Sequence, residues 1–268
     1  MFQPVIKWSG SKRKQVQEIL KYFPKEINVY YEPFCGGSSV LRGLLDSNIK
    51  VNSYVCSDIS KPLIDLWNEI KNNPIVLCDY YENEREKFIK DKKYYYEVRK
   101  RFNQNKDCKD FLFLLRTCAN GMIRWNNKGE FNTSVHHCRD GIKPEMLRKI
   151  CYEWSNLLNN NNVQFINQSY ENVSVNFNDF VYLDPPYANT KGLYYGSIDY
   201  KKFWDWLRKC NGNYVLSFNG KTNRENSTYD VPKDIYSEHK YIYSGNSSFR
   251  RLNKTSNNTI VYESLYIK

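Results

Sequence analysis

The segment that most constrains this chain is Asp179-Phe180-Val181-Tyr182-Leu183 followed by Asp184-Pro185-Pro186-Tyr187. The apolar run reads as a buried strand of a parallel sheet, and an acid stands at its end. Two consecutive prolines can neither continue a ladder nor begin an ordinary helical turn with their donors intact. They therefore hold a rigid extended segment just past the sheet. Open α/β sheets bind ligands at this place, outside the carboxyl ends of the strands. A fixed carboxylate, a Pro185 carbonyl that no following amide can claim, and an aromatic face form a receptor for a flat group bearing an amino function. A nucleobase has that shape. Taken alone, the four residues fit equally well a Pro-Pro turn that closes a strand, with Tyr187 as packing.

A second site lies near the N-terminus. Val29-Tyr30-Tyr31 reads as a strand running into Glu32-Pro33-Phe34-Cys35-Gly36-Gly37-Ser38-Ser39-Val40, a glycine turn and a helix start. Adjacent glycines let backbone approach a ligand where a Cβ would collide. The segment is not G-x-G-x-x-G, so the pyrophosphate-binding fingerprint is missing and NAD is disfavoured. A further strand, Tyr54-Val55-Cys56-Ser57, ends in Asp58, about 20 residues past the glycines, where nucleotide folds place an acid on ribose hydroxyls. A helix cap is the other reading of that acid. Together these pieces suit a cofactor with a sugar and no pyrophosphate.

Apolar residues at 16, 19, 20 and 23 predict an amphipathic helix over 12–23, and a second helix is predicted over 61–71 with Pro62 in its first turn. Helix, strand and turn alternate to about residue 75, half of a doubly wound sheet. From 79 to 158 the pattern becomes charged, Tyr-rich helices (80–103, 109–119, 144–158) around a polar stretch at 120–141. The expected fold is an α/β, Rossmann-like sheet formed by 1–76 and 162–268, with 77–161 an inserted, mainly helical recognition domain. Strands at 163–167, 180–183 and 214–218 resume the sheet, and 260–267 alternates as an antiparallel strand.

A net charge of +11 suits a polyanionic partner, although abundant Asn, Lys and Tyr also mark an AT-rich coding sequence. Eight cysteines without C-x-x-C spacing suggest no disulfide framework. His136-His137-Cys138 lacks a second spaced pair, so no metal is expected. No signal peptide or long apolar segment is read, so the chain is expected in the cytoplasm with reduced thiols.

Four blocks, in order and spanning nearly the whole chain, resemble the Dam-type (D12 class) N6-adenine DNA methyltransferases. Lys7-Trp8-Ser9-Gly10-Ser11-Lys12 resembles the N-terminal cofactor motif, and residues 32–37 the glycine-rich S-adenosylmethionine motif. Asn120-Gly121-Met122-Ile123-Arg124-Trp125-Asn126, with Lys128-Gly129-Glu130-Phe131-Asn132, resembles the target-recognition hairpin. Asp184, Pro185, Pro186 and Tyr187 match the catalytic motif. The resemblance implies cofactor contacts from Trp8, Lys12, Phe34, Cys35, Gly36, Gly37, Asp58, Ile59, Ser169, Tyr170 and Asp184. It implies DNA contacts from Asn120, Met122, Arg124, Asn126, Lys128, Ser134 and Arg139, and from Arg250, Arg251 and Lys254 in a cationic C-terminal loop. Two features depart from the family: Asn132-Thr133-Ser134-Val135-His136-His137 replaces a Val-Pro-Phe-Gly-like continuation, and Ala119 stands where an aromatic wedge is common. GATC, CATG or another short adenine-containing site all remain open.

The implied reaction moves the methyl group of S-adenosylmethionine to adenine N6 in double-stranded DNA. Expected partners are the duplex and, for a member of a restriction-modification pair, a cognate restriction endonuclease. The chain is expected to be a monomer of bacterial, phage or viral origin. Cytosine-N4 methylation uses the same receptor logic, though that class more often has Ser at the position of Asp184. RNA or protein-glutamine methylation would not need an Arg124-type hairpin. A DNA-binding module without activity would leave Asp184, Gly36 and Asp58 unexplained.

Overall fold

Seven strands form one sheet in the order β3-β2-β1-β4-β5-β7-β6. The computed structural model describes residues 2–187, 198–246 and 259–268. Strands β1 (Glu26–Glu32), β2 (Lys50–Asp58), β3 (Gln164–Asn167), β4 (Phe180–Leu183) and β5 (Asn213–Thr222) are parallel. The last strand, β7 (Ile260–Ile267), lies antiparallel between β5 and β6 (Glu238–Asn246). The chain moves outward from β1 through β2 to β3 and then returns to place β4 on the other side of β1, with Tyr30 opposite Phe180. The switch point is therefore the gap between β1 and β4, whose carboxyl ends carry the glycine turn and Asp184.

Both faces of β4 are covered, as its unbroken apolar run requires. Phe180 and Tyr182 belong to one apolar cluster and Val181 and Leu183 to another. The second cluster includes Phe203, Trp204 and Leu207 of an amphipathic helix (Tyr200–Lys209) whose N-cap, Asp199, accepts from the Lys202 amide. The start of β4 is fixed by the buried Asp179, which accepts from Asn28 Nδ2, the Val29 amide and the Asn176 amide.

The segment read as an insertion packs into the first cluster rather than standing apart from it. Trp67, on the helix Lys61–Asn72, stacks on Phe165 of β3 at 5.3 Å and meets Trp154 at 4.9 Å. Trp154 lies on the helix Pro144–Asn160, and Ser155 beside it donates to the Lys71 carbonyl. One apolar core thus runs from the sheet into residues 77–161.

Three local expectations are corrected. The helix predicted over 12–23 is only Val16–Ile19 with a tighter turn at Leu20–Tyr22, because the chain before it is used to carry Lys12 into the interior. The helix predicted over 80–103 is two, Pro74–Lys90 and Tyr94–Asn105, broken at Asp91, where φ −141° and ψ 113° are extended and the side chain accepts from the Lys93 amide. Strand β6 was not foreseen: it is an edge strand whose buried side chain is Ile242, so its pattern lacks clean alternation.

Candidate active site

The glycine turn is built against a tryptophan. Gly36 has φ +44°, and a Cβ added there would lie 2.6 Å from Trp8 Nε1; one added at Gly37 would lie 2.9 Å from Trp8 Cβ. The close approach that calls for two glycines is thus made by the Trp8 side chain, whose indole also meets Phe111 edge-on. The turn is tied down by hydrogen bonds from the Cys35 amide to the Ser57 carbonyl and from Trp67 Nε1 to the Gly36 carbonyl.

At the end of β2, Asp58 accepts from the Ser60 amide at 2.9 Å and more loosely from the Gly36 amide at 3.4 Å. It therefore fixes the turn that leads into the following helix and clasps the glycine turn at once. Burial pushes its carboxyl up to about 6, against these bonds from the backbone. Asp58 lines a cavity of ≈ 300 Å³ at the switch point. That volume is at the small end of cofactor-sized clefts. Trp8, Phe34 and Gly36 wall one side, Ile59 and Tyr170 contribute apolar surface, Ser169 stands beside them, and Asp184 and Pro186 close the far end. Tyr170 packs its ring at 5.5 Å from Phe34, which fixes the apolar wall. Cys35 is buried under the turn and does not line this cavity, though it lines the narrow cleft beside it.

Lys12 is the largest departure from expectation. Its ammonium lies 2.8 Å from Asp184 Oδ1 and 3.5 Å from Glu263 Oε2, with the side chain 4% exposed. Burial alone would lower its pKa, but the Asp184 and Glu263 charges outweigh burial and hold the group above its ordinary range. A residue read as a cofactor contact is also an ion-pair partner of the strand-end carboxylate, and it lines the narrow cleft beside the cavity. Asp184 itself is pushed up to about 6, chiefly by burial and by the Glu263 charge, while Lys12 pulls the other way. Glu32, at the end of β1, accepts from the Tyr30 hydroxyl and the Leu41 amide, and burial lifts it to about 8.

The Pro-Pro segment is locked from outside by the Tyr200 hydroxyl, which donates to the Pro186 carbonyl at 2.8 Å. Among the described residues none donates to the Pro185 carbonyl. The Tyr187 ring meets Phe218 at 5.6 Å and lies 5.1 Å from Lys12 Nζ.

The recognition stretch forms a short hairpin with bridges between Cys118 and Val135 and between Trp125 and Phe131. Ile123 and Trp125 point inward and line the cavity, whereas Arg124 between them is exposed. The Arg124 amide donates to Thr133 Oγ1 and its carbonyl accepts from the Asn132 amide, so the backbone is fixed while the guanidinium is presented outward. Asn120 adopts a left-handed conformation at φ 56° and is exposed, as are Lys128, Ser134 and Arg139, while Met122 is half-buried. Asn126 is different: its side chain donates to Glu130 and accepts from the Lys128 and Glu130 amides, so it builds the turn. Arg250, Arg251 and Lys254 lie outside the described residues.

Sequence reasoning missed Glu263, Ile123 and Trp125. An acid inside the alternating apolar strand 260–267 was the signal for the first. The apolar-charged-apolar run 123–125 was the signal for the others.

This strand order, with a nucleoside-sized cavity and an acid at the switch point, defines a Rossmann-like methyltransferase. The model of the D12 class N6 adenine-specific DNA methyltransferases matches residues 8–260, and the chain belongs to that family. It is 34% identical over 206 residues to the type II methyltransferase M.MjaIII of Methanocaldococcus jannaschii, covering 69% of each chain. It is 26% identical over 251 residues to M.CviBI of Paramecium bursaria Chlorella virus NC1A, covering 90% of this chain and 92% of that one. It is 31% identical over 192 residues to the DNA adenine methylase of Escherichia coli, covering 68% of this chain and 64% of that one. The chain is an adenine-specific DNA methyltransferase, and no helix among its described residues is long and apolar enough to cross a membrane.

Replacing Asp58 by Ala is expected to weaken S-adenosylmethionine binding by roughly 10- to 100-fold, the loss of charge-assisted hydrogen bonds. NAD is expected not to compete. Calorimetry reads both, and an unchanged affinity would leave Asp58 with its backbone role alone.

Proposed function

We propose that the chain uses S-adenosylmethionine to methylate N6 of an adenine turned out of a short duplex site. The observation that carries this reading is Asp184, which lines the same cavity as Asp58, Ile59 and Tyr170 while Lys12 pairs with it at 2.8 Å. The cavity suits the cofactor: Asp58 can accept from ribose hydroxyls, and Ile59, Phe34 and Tyr170 offer apolar surface to a purine. S-adenosylmethionine supplies an electrophilic methyl carbon on a sulfonium.

The chain's own work is to make the adenine amino group a nucleophile. Its lone pair is delocalised into the purine. Hydrogen bonds from the two N6 protons to the Asp184 carboxylate and the Pro185 carbonyl pyramidalise nitrogen and aim its lone pair into the cavity. A carboxylate, even one lifted to about 6, is far too weak a base to deprotonate an aryl amine in advance, so proton loss accompanies or follows transfer. The Tyr187 ring, held against Phe218, offers a stacking face to the extruded base, which cannot reach the cavity from inside the helix. Arg124 is presented for a bidentate contact to guanine O6 and N7, which suits GATC, CATG or another short site holding both bases. The hairpin around it differs from the family in its continuation, and the site sequence is the finer part of this proposal. The exposed Lys128, Ser134 and Arg139 are available to phosphates, and Arg250, Arg251 and Lys254 are proposed for the same role on sequence alone. A monomer acting in the cytoplasm, alone or beside a cognate restriction endonuclease, fits this reading.

Methyl-labelled S-adenosylmethionine incubated with defined duplexes, followed by nucleoside separation, is expected to put label in N6-methyladenine. Label in N4-methylcytosine, or in none, would contradict the reading. Asp184→Ala is expected to abolish transfer while duplex binding by gel shift stays within a few-fold, since the acid touches no phosphate; activity near wild type would remove Asp184 from the chemistry.

Arg124→Ala is expected to cost about 1–3 kcal/mol on the cognate duplex and to relax discrimination at one guanine. Competition binding on cognate and scrambled duplexes measures this. Equal losses on both would make Arg124 a phosphate contact.

A further inference from the structure

Glu263 enters the active site from an element that neither cavity uses. It sits within β7, opposite Ile242 of β6, and lines neither the cofactor-sized cavity nor the narrower cleft beside Trp8. Its carboxylate is nevertheless held in one orientation. Ser244 Oγ donates to Glu263 Oε1 at 3.2 Å, and the same hydroxyl accepts from the buried Gln15 Nε2 at 2.6 Å. The other oxygen, Oε2, faces Lys12 Nζ at 3.5 Å. Gln15 lies three residues beyond Lys12, so the N-terminal segment reaches Glu263 once directly, through Lys12, and once through Ser244.

The charges at this place do not cancel. One ammonium faces two carboxylates, at 2.8 Å and 3.5 Å, which leaves the group with an excess negative charge in a buried setting. A lysine paired with Asp184 alone would neutralise it, and a neutralised carboxylate is a poorer acceptor for amino protons. Glu263 competes for the same ammonium without touching the space where a substrate would lie. We propose that Glu263 is a positioning residue that shares Lys12 with Asp184, keeping Asp184 a more basic and hence stronger acceptor aimed at the amino group. This rests on the reading that Asp184 receives the adenine amino group. Among the described residues, the titratable and charged groups facing Asp184 are Lys12, Glu263, Glu32, Tyr182 and Tyr187.

The test is Glu263→Gln in the full chain, read as kcat and as the pH dependence of kcat at saturating cofactor and duplex. A fall in kcat of roughly tenfold, with cofactor and duplex Kd within about twofold, is expected when an unshared ion pair blunts Asp184. The acid limb of the profile is expected to move to lower pH by about half a unit or more, because a like charge that favoured protonation of Asp184 has been removed. Glu263→Asp keeps the charge and is expected to hold the limb at its wild-type position and recover part of kcat. A wild-type kcat and an unmoved limb in Glu263→Gln would overturn the proposal. Should that variant fail a thermal-melt check, Ser244→Ala leaves every charge in place, unpins Glu263 and takes the acceptor from Gln15 Nε2. A several-fold kcat loss at unchanged Kd would then support the proposal, and a wild-type kcat would overturn it. Asp184→Ala run in parallel separates the two levels. An active Asp184→Ala removes the underlying reading, whereas an inactive one beside a wild-type Glu263→Gln removes only the role of Glu263.

Discussion

The buried contact between Lys12 and Asp184 joins three distant parts of the chain at one point. Lys12 comes from the N-terminal segment, Asp184 from the end of β4, and Glu263 from the last strand. Ion pairs of this kind add little net stability, because desolvation offsets attraction, but removing one partner strands a charge and costs about 3–5 kcal/mol. The arrangement is therefore better understood as placing a carboxylate than as holding the fold together. It sets the Asp184 carboxylate at the switch point between β1 and β4, with an ion-pair partner that the strand end alone would not give it.

The remaining geometry follows from that placement. Trp8 precedes Lys12 by four residues, so burying the lysine lays the indole across Gly36 and Gly37, and the glycines are needed for that contact. The turn so formed offers the Gly36 amide to Asp58, which fixes the acid at the end of β2. The recognition hairpin is drawn into the same structure through Ile123 and Trp125, which wall the cavity while Arg124 faces out. Residues that would read a base and residues that would hold a cofactor therefore alternate along a single strand-like segment. Rigid support of both by one core is what the shared apolar cluster provides.

Much of this was legible in the sequence where local chemistry is strong. The run 179–187 placed β4 and its acid correctly, because an unbroken apolar stretch ended by two prolines admits few other structures. Asp58 was read both as a ribose acid and as a helix cap; the helix N-cap is Ser60, and Asp58 instead binds the Ser60 and Gly36 amides ahead of it. What could not be read were long-range pairings. Nothing local marks Lys12 as a partner of Asp184, 172 positions away, rather than a surface charge at a helix start. The glycine pair was assigned to a ligand; Gly36 does line the cavity, but the contact that leaves no room for a Cβ is made by the Trp8 side chain, which nothing local announces. Asn126 was expected as a DNA contact by its motif, and the sequence did not show that its amide also builds its own turn. The edge strand β6 escaped notice because an exposed edge carries no hydrophobic period.

The most direct test of the Lys12–Asp184 arrangement is the titration of the Asp184 carboxyl itself, followed by carbon NMR of carboxyl-labelled protein, in the wild type and in Lys12→Met. A midpoint near 6 is expected in the wild type, above the ordinary aspartate value because burial outweighs the lysine's pull. In Lys12→Met the midpoint is expected to rise further, since the positive charge paired with Asp184 is gone and Glu263 remains. A midpoint near 4 in both proteins, the usual carboxylate value, would contradict it.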